Sequence, residues 1–505
     1  MNYLITLDLG TTSVKTSLFD RNLSCEASCT EEYQLLTPAP AIIELSPRTY
    51  WDACVSGIKM VLKNANVSPD EVVSISISTQ GETLIPVDAE GKTLSNAIVW
   101  MDLRAAEEAD TLRKSISDAE YFRATGLPEI GSANPICKLM WIKKNLPDVY
   151  RKSYKFLLLE DYIIYMLTGE FVTEPTNMSS TGYYHIRDNR IWRECLETAG
   201  IALDKIPRVV PCGTVVGNIT PSAANEIGLA LSTVVTTGAN DQICGAVGTG
   251  NIAAGALSET TGTALAIVST LDEMPDENLY NVTISRHCNN KFIVVAYSAT
   301  SGIVYKWFKD VFCEADVGLS ESEGFDVYDH LNNLAESVPH GSDGLLLLPF
   351  YAGKLSPDYN EDARGVFFGI ELGHTKGHFV RAIMEGVAFM SQEIMEIAYK
   401  LCGEPDRVIS TGGGAKSPLW NQIKADVTNK EICVALGEGA SLGAAIIGAV
   451  SNGWFETIEE ACNASVGISK TYRPHEERVI EYRKLYKKFI QLYNSLLPVF
   501  SDLTE

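Results

Sequence analysis

The same short device occurs once in each half of the chain. Asp8-Leu9-Gly10-Thr11-Thr12 follows a strand-like run at residues 3–7, and Glu259-Thr260-Thr261-Gly262-Thr263 stands in the second half. A strand that stops at a Gly-Thr turn presents backbone N–H groups and hydroxyls, and both suit phosphate oxygens. One such turn also occurs in ordinary hairpins. Two of them, one per half, imply two similar domains closing on a polyphosphate from opposite sides.

A chain of 505 residues is too long for one core, so two domains are expected. The hydrophobic count of 46% and the mean hydropathy of +0.02 fit a globular protein with a sizeable interior. A formal net charge of -23 repels nucleic acid and anionic membranes, which excludes both as expected partners. A small anion such as ATP remains compatible, because Mg²⁺ and oriented amides dominate locally. The 12 cysteines are scattered singly without a C-x-x-C pair, the pattern of reduced cytosolic thiols. The N-terminus enters a strand with no basic region or cleavage site, and apolar runs such as 345–350 are too short to span a bilayer. The expected location is cytoplasmic.

Strands are expected at 3–7, 14–19 and 24–28. A helix opens at Ser46-Pro47 and keeps Tyr50, Trp51, Cys54, Ile58, Val61 and Leu62 on one face. A strand at 72–79 ends at Gln80-Gly81-Glu82-Thr83, and a shorter one at 98–100 delivers Asp102 and Arg104. Strands followed by alternating helix and strand define an α/β class with ligands at strand ends. Gly238-Ala239-Asn240-Asp241-Gln242 then leads into a small-residue helix at 243–248. Gly248-Thr249-Gly250 is the expected junction between domains 1–247 and 248–505. The second half carries a further helix near 378–397, then Gly412-Gly413-Gly414 and the segment 437–450. A long amphipathic helix at 475–496 has Ile480, Leu485, Phe489, Tyr493 and Leu496 among its apolar positions.

These strings, in this order, resemble the FGGY family of carbohydrate kinases, within the actin-like ATPase superfamily. The resemblance rests on residues 8–12, on W-M-D-L-R at 100–104 and on Lys138-Leu139-Met140-Trp141. It continues through the string ending at Phe171, G-A-N-D-Q-I-C-G-A-V-G-T-G at 238–250, residues 363–386, and G-G-G-A-K-S-P-L-W-N-Q from Gly412. It implies two ribonuclease-H-like domains with a deep cleft between them, sugar mainly on the first and ATP mainly on the second. It also implies transfer to a sugar or polyol hydroxyl, a ketopentose such as xylulose first and gluconate as the alternative. A homodimer is a common family assembly.

Phosphoryl transfer needs a metal, a phosphate cradle and a proton acceptor. By resemblance Asp241 is the catalytic aspartate; on local pattern alone it would equally serve as a helix N-cap. Asp8 is the expected Mg²⁺ ligand, since Mg²⁺ retains water and uses only one or two carboxylates; a turn-stabilising role is the alternative. Gly10, Thr11, Thr12, Thr261, Gly262 and Thr263 form the expected phosphate cradle, with Lys15 adding charge or lying exposed on its strand. Gly412, Gly413, Gly414 and Ala415 resemble the adenosine-side loop, where missing side chains admit the nucleotide, and Gly302 resembles a further nucleotide-side glycine. Gln80, Gly81, Glu82, Asp102, Asp241 and Gln242 are the expected sugar ligands, able to fork onto adjacent hydroxyls. Glu82 and Asp102 would otherwise be surface carboxylates at strand ends.

Departures from the family narrow the substrate. Glycerol-acting members carry Arg where Gly81 stands and an aromatic where Ala133 falls. Many sugar-acting members carry a G-E-R string where this chain has Gly353-Lys354-Leu355, and a Met-His pair after the equivalent of Gln80. Two other signals lead nowhere. Gly91-Lys92-Thr93 ends like a P-loop, but Pro86 occupies the place of its first glycine. His374 and His378 have i, i+4 spacing without an H-E-x-x-H motif, which points to capping or packing. Two rival classes remain at this level, a chaperone-like actin relative and a sugar-binding regulator without catalysis.

Overall fold

The computed structural model describes residues 2–502 except Leu279 and Glu438; Glu438, within the segment 437–450, and residues 503–505 lie outside them. Its first sheet is built from β1 (Tyr3–Leu9), β2 (Ser13–Phe19), β3 (Cys25–Glu32), β4 (Val72–Thr79) and β5 (Val234–Thr236). β1, β2 and β3 pair antiparallel, while β4 runs parallel to both β1 and β5. Helices α1 (Pro47–Ala65), α2 (Leu159–Thr168) and α3 (Asp241–Gly248) follow β3, β4 and β5 in turn. The apolar set expected on α1 is its buried face, from Tyr50 and Trp51 to Val61 and Leu62. A two-residue strand, Ala239–Asn240, pairs with Ser78 and Thr79 at the end of β4.

The second half repeats this order. β6 (Leu257–Thr261), β7 (Leu265–Leu271), β8 (Thr283–Arg286) and β9 (Phe292–Ser298) come first, followed by α4 (Gly302–Phe312) and α5 (Lys376–Cys402). Then come β10 (Arg407–Thr411), α6 (Pro418–Thr428), β11 (Glu431–Ala435) and α7 (Gly439–Ser451). β10 runs parallel to β6 and to β11, as β4 runs parallel to β1 and to β5. The correspondence sets β6 against β1 and β10 against β4, so the two Gly-Thr turns fall at equivalent strand ends. This is the duplicated α/β fold of the actin-like ATPases.

The two halves meet through α3 and α7. A Cβ on Gly248 would lie 1.8 Å from the Gly439 carbonyl oxygen, and one on Gly443 would lie 1.8 Å from that of Cys244. Only glycine permits backbones this close. The other side of α7 rests on the first sheet, where a Cβ on Gly448 would meet Leu4 and Ser76. The small-residue runs of the sequence are thus the inter-domain contact itself.

Several boundaries differ from the sequence reading. The third strand runs to Glu32, because its edge position needs only alternating burial. α3 starts at Asp241, two residues earlier than expected. The final helix spans Glu476–Asp502, and its buried face is Val479, Tyr482, Phe489, Leu492, Tyr493 and Phe500, whereas Ile480 is exposed. All 12 cysteines are free. Among the described residues no helix is long and apolar enough to cross a membrane.

Candidate active site

The parallel strands of the first sheet bring Asp8, Gln80–Glu82 and Asp241 to one edge. Asp8 pairs with Ser78 in the β1–β4 register, and its Oδ1 accepts from the Ser78 hydroxyl at 2.7 Å. Thr79 pairs with Asn240, so the residues after each, Gln80 and Asp241, leave the sheet side by side. Lys15 lies directly opposite Asp8 across the β1–β2 ladder and so shares its face.

Asn240, not Asp241, is the N-cap of α3: its Oδ1 accepts from the Gln242 amide at 3.0 Å. The same amide reaches Asp241 Oδ1 at 2.7 Å, and the Gln242 side chain also hydrogen-bonds the carboxylate. Asp241 is half-buried. Surrounding protein desolvates its carboxyl, and the charge of Asp8 adds to this, so that its pKa is pushed up to about 7 despite the Gln242 amide. Gln242 itself is exposed.

Glu82 adopts a left-handed backbone with φ 66°, a conformation that costs a non-glycine residue free energy and is found mostly at functional sites. Burial pushes its pKa up to about 7, against the pull of Lys138 and with added repulsion from Asp241. Lys138 is fully buried, and its Nζ donates to the carbonyls of Glu82, Val99 and Trp100 at 3.2, 3.0 and 3.2 Å. It ties the two strand ends together. Gln80 is buried, with Nε2 on the Tyr50 hydroxyl and Oε1 buried without a partner. At Gly81 an added Cβ would meet Ser180 Oγ at 2.8 Å, so no longer side chain fits there.

Asp102 has a different setting from the other expected sugar ligands. It is fully buried, takes a forked ion pair from Arg104 and accepts from the Ile43 amide at 2.6 Å. Arg104 also reaches Glu44 at 2.8 Å and lies over the Trp141 ring. Both Asp102 oxygens are therefore occupied within the first domain. Trp100, from the same motif, is exposed: its indole donates to Thr11 Oγ1 at 2.9 Å, leaving that hydroxyl's proton free to donate. It was not among the expected site residues, although an exposed tryptophan at a strand end is itself a signal of a ligand surface.

In the second domain a cavity of about 710 Å³ opens at the Thr261–Thr263 turn. Gly302, Gly413 and Gly414 line it together with Tyr305, Tyr328, Asn332 and Trp420, none of which the sequence reading had placed there. Thr263 is exposed, whereas Thr261 is buried and donates to Glu259 at 2.6 Å. The glycines differ in role. A Cβ on Gly302 would lie 2.5 Å from Gly262 O, one on Gly412 2.7 Å from Thr261 O, and one on Gly414 2.8 Å from Thr261 Cβ. These three pack the turn itself. Gly413 has open space around it and is exposed. Ala415 is buried, its carbonyl held by Asn421 at 2.7 Å.

The two Gly-Thr turns also diverge chemically. Glu259, the counterpart of Asp8, is fully buried and paired with Lys424 and Ser410. Only the first turn presents its carboxylate at a half-buried position. Among the described residues no cluster of three or more His, Cys, Asp or Glu could hold a metal. A single half-buried carboxylate at a Gly-Thr turn nevertheless fits Mg²⁺, which takes most of its remaining ligands from water and phosphate. His374 and His378 stack on each other, and His378 accepts from the Thr375 amide, a helix-start role.

The duplicated fold, the paired turns and the carboxylate-lined edge define a two-domain phosphotransferase of the actin-like ATPase fold. Residues 3–248 match the N-terminal domain of the FGGY family of carbohydrate kinases, and residues 255–452 match its C-terminal domain. The chain belongs to that family and is a carbohydrate kinase, with a nucleotide as phosphoryl donor. It is 29% identical to a gluconokinase of Bacillus subtilis, across 100% of this chain and 98% of that protein. It is 30% identical to a xylulose kinase of Staphylococcus epidermidis, across 98% of this chain and 97% of that one. Among solved structures, xylulose kinase from Rhodospirillum rubrum superposes with a TM-score of 0.89 at 26% identity, covering 99% of this chain and all of that one.

Proposed function

We propose that this kinase transfers the γ-phosphoryl group of ATP to a hydroxyl of a neutral sugar or polyol, a ketopentose such as xylulose first among them. Asp241 is the proton acceptor, Asp8 holds Mg²⁺ directly or through water, and the Thr261–Thr263 turn with Gly413 cradles the nucleotide. The observation that carries this reading is the Asp241 carboxylate: with Asn240 as the helix cap, it stands half-buried within reach of the charges of Asp8 and Glu82.

Mg²⁺, when bound, neutralises charge on the transferring phosphate. The residues of the chain do the rest. Trp100 offers an apolar face to the carbon skeleton, and Gln80 and Glu82 accept from or donate to its hydroxyls. Asp241 accepts the proton of the attacking hydroxyl, late in a loose transition state. Closure of the domains about α3 and α7 keeps water from taking the acceptor's place.

Charge favours a neutral acceptor over an aldonate. Asp8, Glu82 and Asp241 converge on the site, while the nearby cations Lys138 and Arg104 are committed to backbone carbonyls and to Asp102 and Glu44. A sugar carboxylate would meet repulsion from these three groups, with Lys138 and Arg104 already engaged and Lys15 lying opposite Asp8 on the β1–β2 ladder. The relatives named gluconokinase make aldonates the comparison of choice. An ADP-release screen over ketopentoses, polyols, deoxysugars and aldonates tests this directly. The highest kcat/KM is expected on a neutral compound, and a preference for gluconate would overturn the reading.

A further inference from the structure

Two buried carboxylates lie behind the strand that carries Asp241. Glu160 and Glu174 are both fully buried, as are Asn177 and Thr176. Glu174 caps the short helix Pro175–Met178, accepting from the Thr176 and Asn177 amides at 2.7 and 2.6 Å. It also accepts from the Thr176 hydroxyl at 2.6 Å. Because that hydroxyl spends its only proton on Glu174, it faces the Asn240 amide as an acceptor, at 2.9 Å. On the other side Glu160 accepts from the Gly238 amide at 2.6 Å and from the Asn177 side chain at 2.7 Å. The Asn177 carboxamide oxygen in turn accepts from the Thr79 hydroxyl at 3.3 Å.

The segment 238–240 is therefore held at both ends by groups behind it and along its length by the β4 ladder. Its glycine is packed so closely that a Cβ would lie 1.4 Å from Ile77 O. Nothing comparable is needed for stability alone. A two-residue strand can be satisfied by its ladder, whereas burying carboxylates carries a desolvation cost that a neutral helix cap would avoid. What this arrangement does fix is the direction in which the chain leaves the sheet at Asp241.

We propose that Thr176, oriented by Glu174, is a positioning residue for phosphoryl transfer: its hydroxyl sets the Asn240 peptide so that the Asp241 carboxylate meets the acceptor hydroxyl. The inference rests on the reading of Asp241 as proton acceptor. Its reach is geometric, since small displacements of a reacting group cost large factors in rate. The Thr261–Thr263 turn and Gly413 lie in the other domain and are untouched by it.

The test compares Thr176→Val with Thr176→Ser. Valine keeps the shape and removes the acceptor of the Asn240 amide; serine restores the hydroxyl. The valine variant is expected to lose kcat by roughly tenfold or more, with KM for ATP unchanged, and serine to recover most of the loss. Thermal unfolding of both variants is followed in parallel. Equal kcat in the valine and serine variants would overturn the proposal, as would a loss that only tracks the fall in Tm. Asp241→Asn run alongside separates the two claims. If that change leaves turnover intact, the proton-acceptor reading fails; if it abolishes turnover while Thr176→Val does not, only the positioning role fails.

Discussion

Lys424 forms a fully buried ion pair with Glu259, the residue that stands in the second domain where Asp8 stands in the first. The duplication thus kept the turn and divided the work. One carboxylate is sealed within the frame of the second domain, and the other remains at a half-buried position at the edge of the first sheet.

Removing Lys424 should unmask that difference. Lys424→Met leaves a buried carboxylate without its cation, a change that typically destabilises by about 3–5 kcal/mol. Urea unfolding measures it. A midpoint equal to that of the parent protein would show that Glu259 does not need its partner.

The nucleotide-side glycines should separate by role. Gly302→Ala drives a Cβ to 2.5 Å from Gly262 O, and overpacking of this kind costs about 1–3 kcal/mol. Expressed at the phosphate turn, that raises KM for ATP by roughly tenfold or more. Gly413→Ala meets open space and should leave folding stability unchanged. Steady-state kinetics and Tm together check the pair; a silent Gly302→Ala would contradict the packing argument.

Stability should fall as pH rises through neutrality. Burial pushes Asp161, Glu174, Glu82 and Asp241 up to about 7, whereas unfolded carboxyls titrate near ~4. Between those values the folded chain binds more protons than the unfolded one, so folding is favoured at the acidic end of the window. The denaturation midpoint is expected to be higher at about pH 5.5 than at about pH 8. The opposite order would show that these groups stay ionised on folding.

Cys288 should be the most reactive thiol. Cys212 beside it and the His287 ring 3.2 Å from its sulfur hold its pKa well below the ordinary range, while the Cys212 thiol donates to the Gly238 carbonyl at 2.9 Å. Buried Cys54, by contrast, is pushed up. Brief iodoacetamide treatment followed by peptide mass mapping should find Cys288 modified first. Preferential labelling of any other cysteine would contradict this.

What was legible in the sequence was local. The Gly-Thr turns announce themselves because the turn, the hydroxyls and the preceding strand are contiguous, and the same holds for the apolar face of α1. The choice between Asn240 and Asp241 as cap was not legible, since both residue types cap well and they are adjacent. Nor could Asp102 be told from an exposed strand-end carboxylate, because the Ile43 amide that it accepts from, and the Glu44 carboxylate that shares Arg104 with it, lie some sixty residues away in the chain. The walls of the nucleotide cavity were hidden for the same reason: Tyr305, Asn332 and Trp420 come from three helices that only packing unites. Thr176 gave no signal at all, as its role exists only through Glu174 and Asn240.

The central claim is that the Asp241 carboxylate takes the acceptor's proton. Turnover and ATP affinity of Asp241→Asn, measured on the same preparation with the preferred sugar, test it most directly. The account predicts kcat lowered by at least ~100-fold with ATP binding retained. Turnover near that of the parent protein would contradict it.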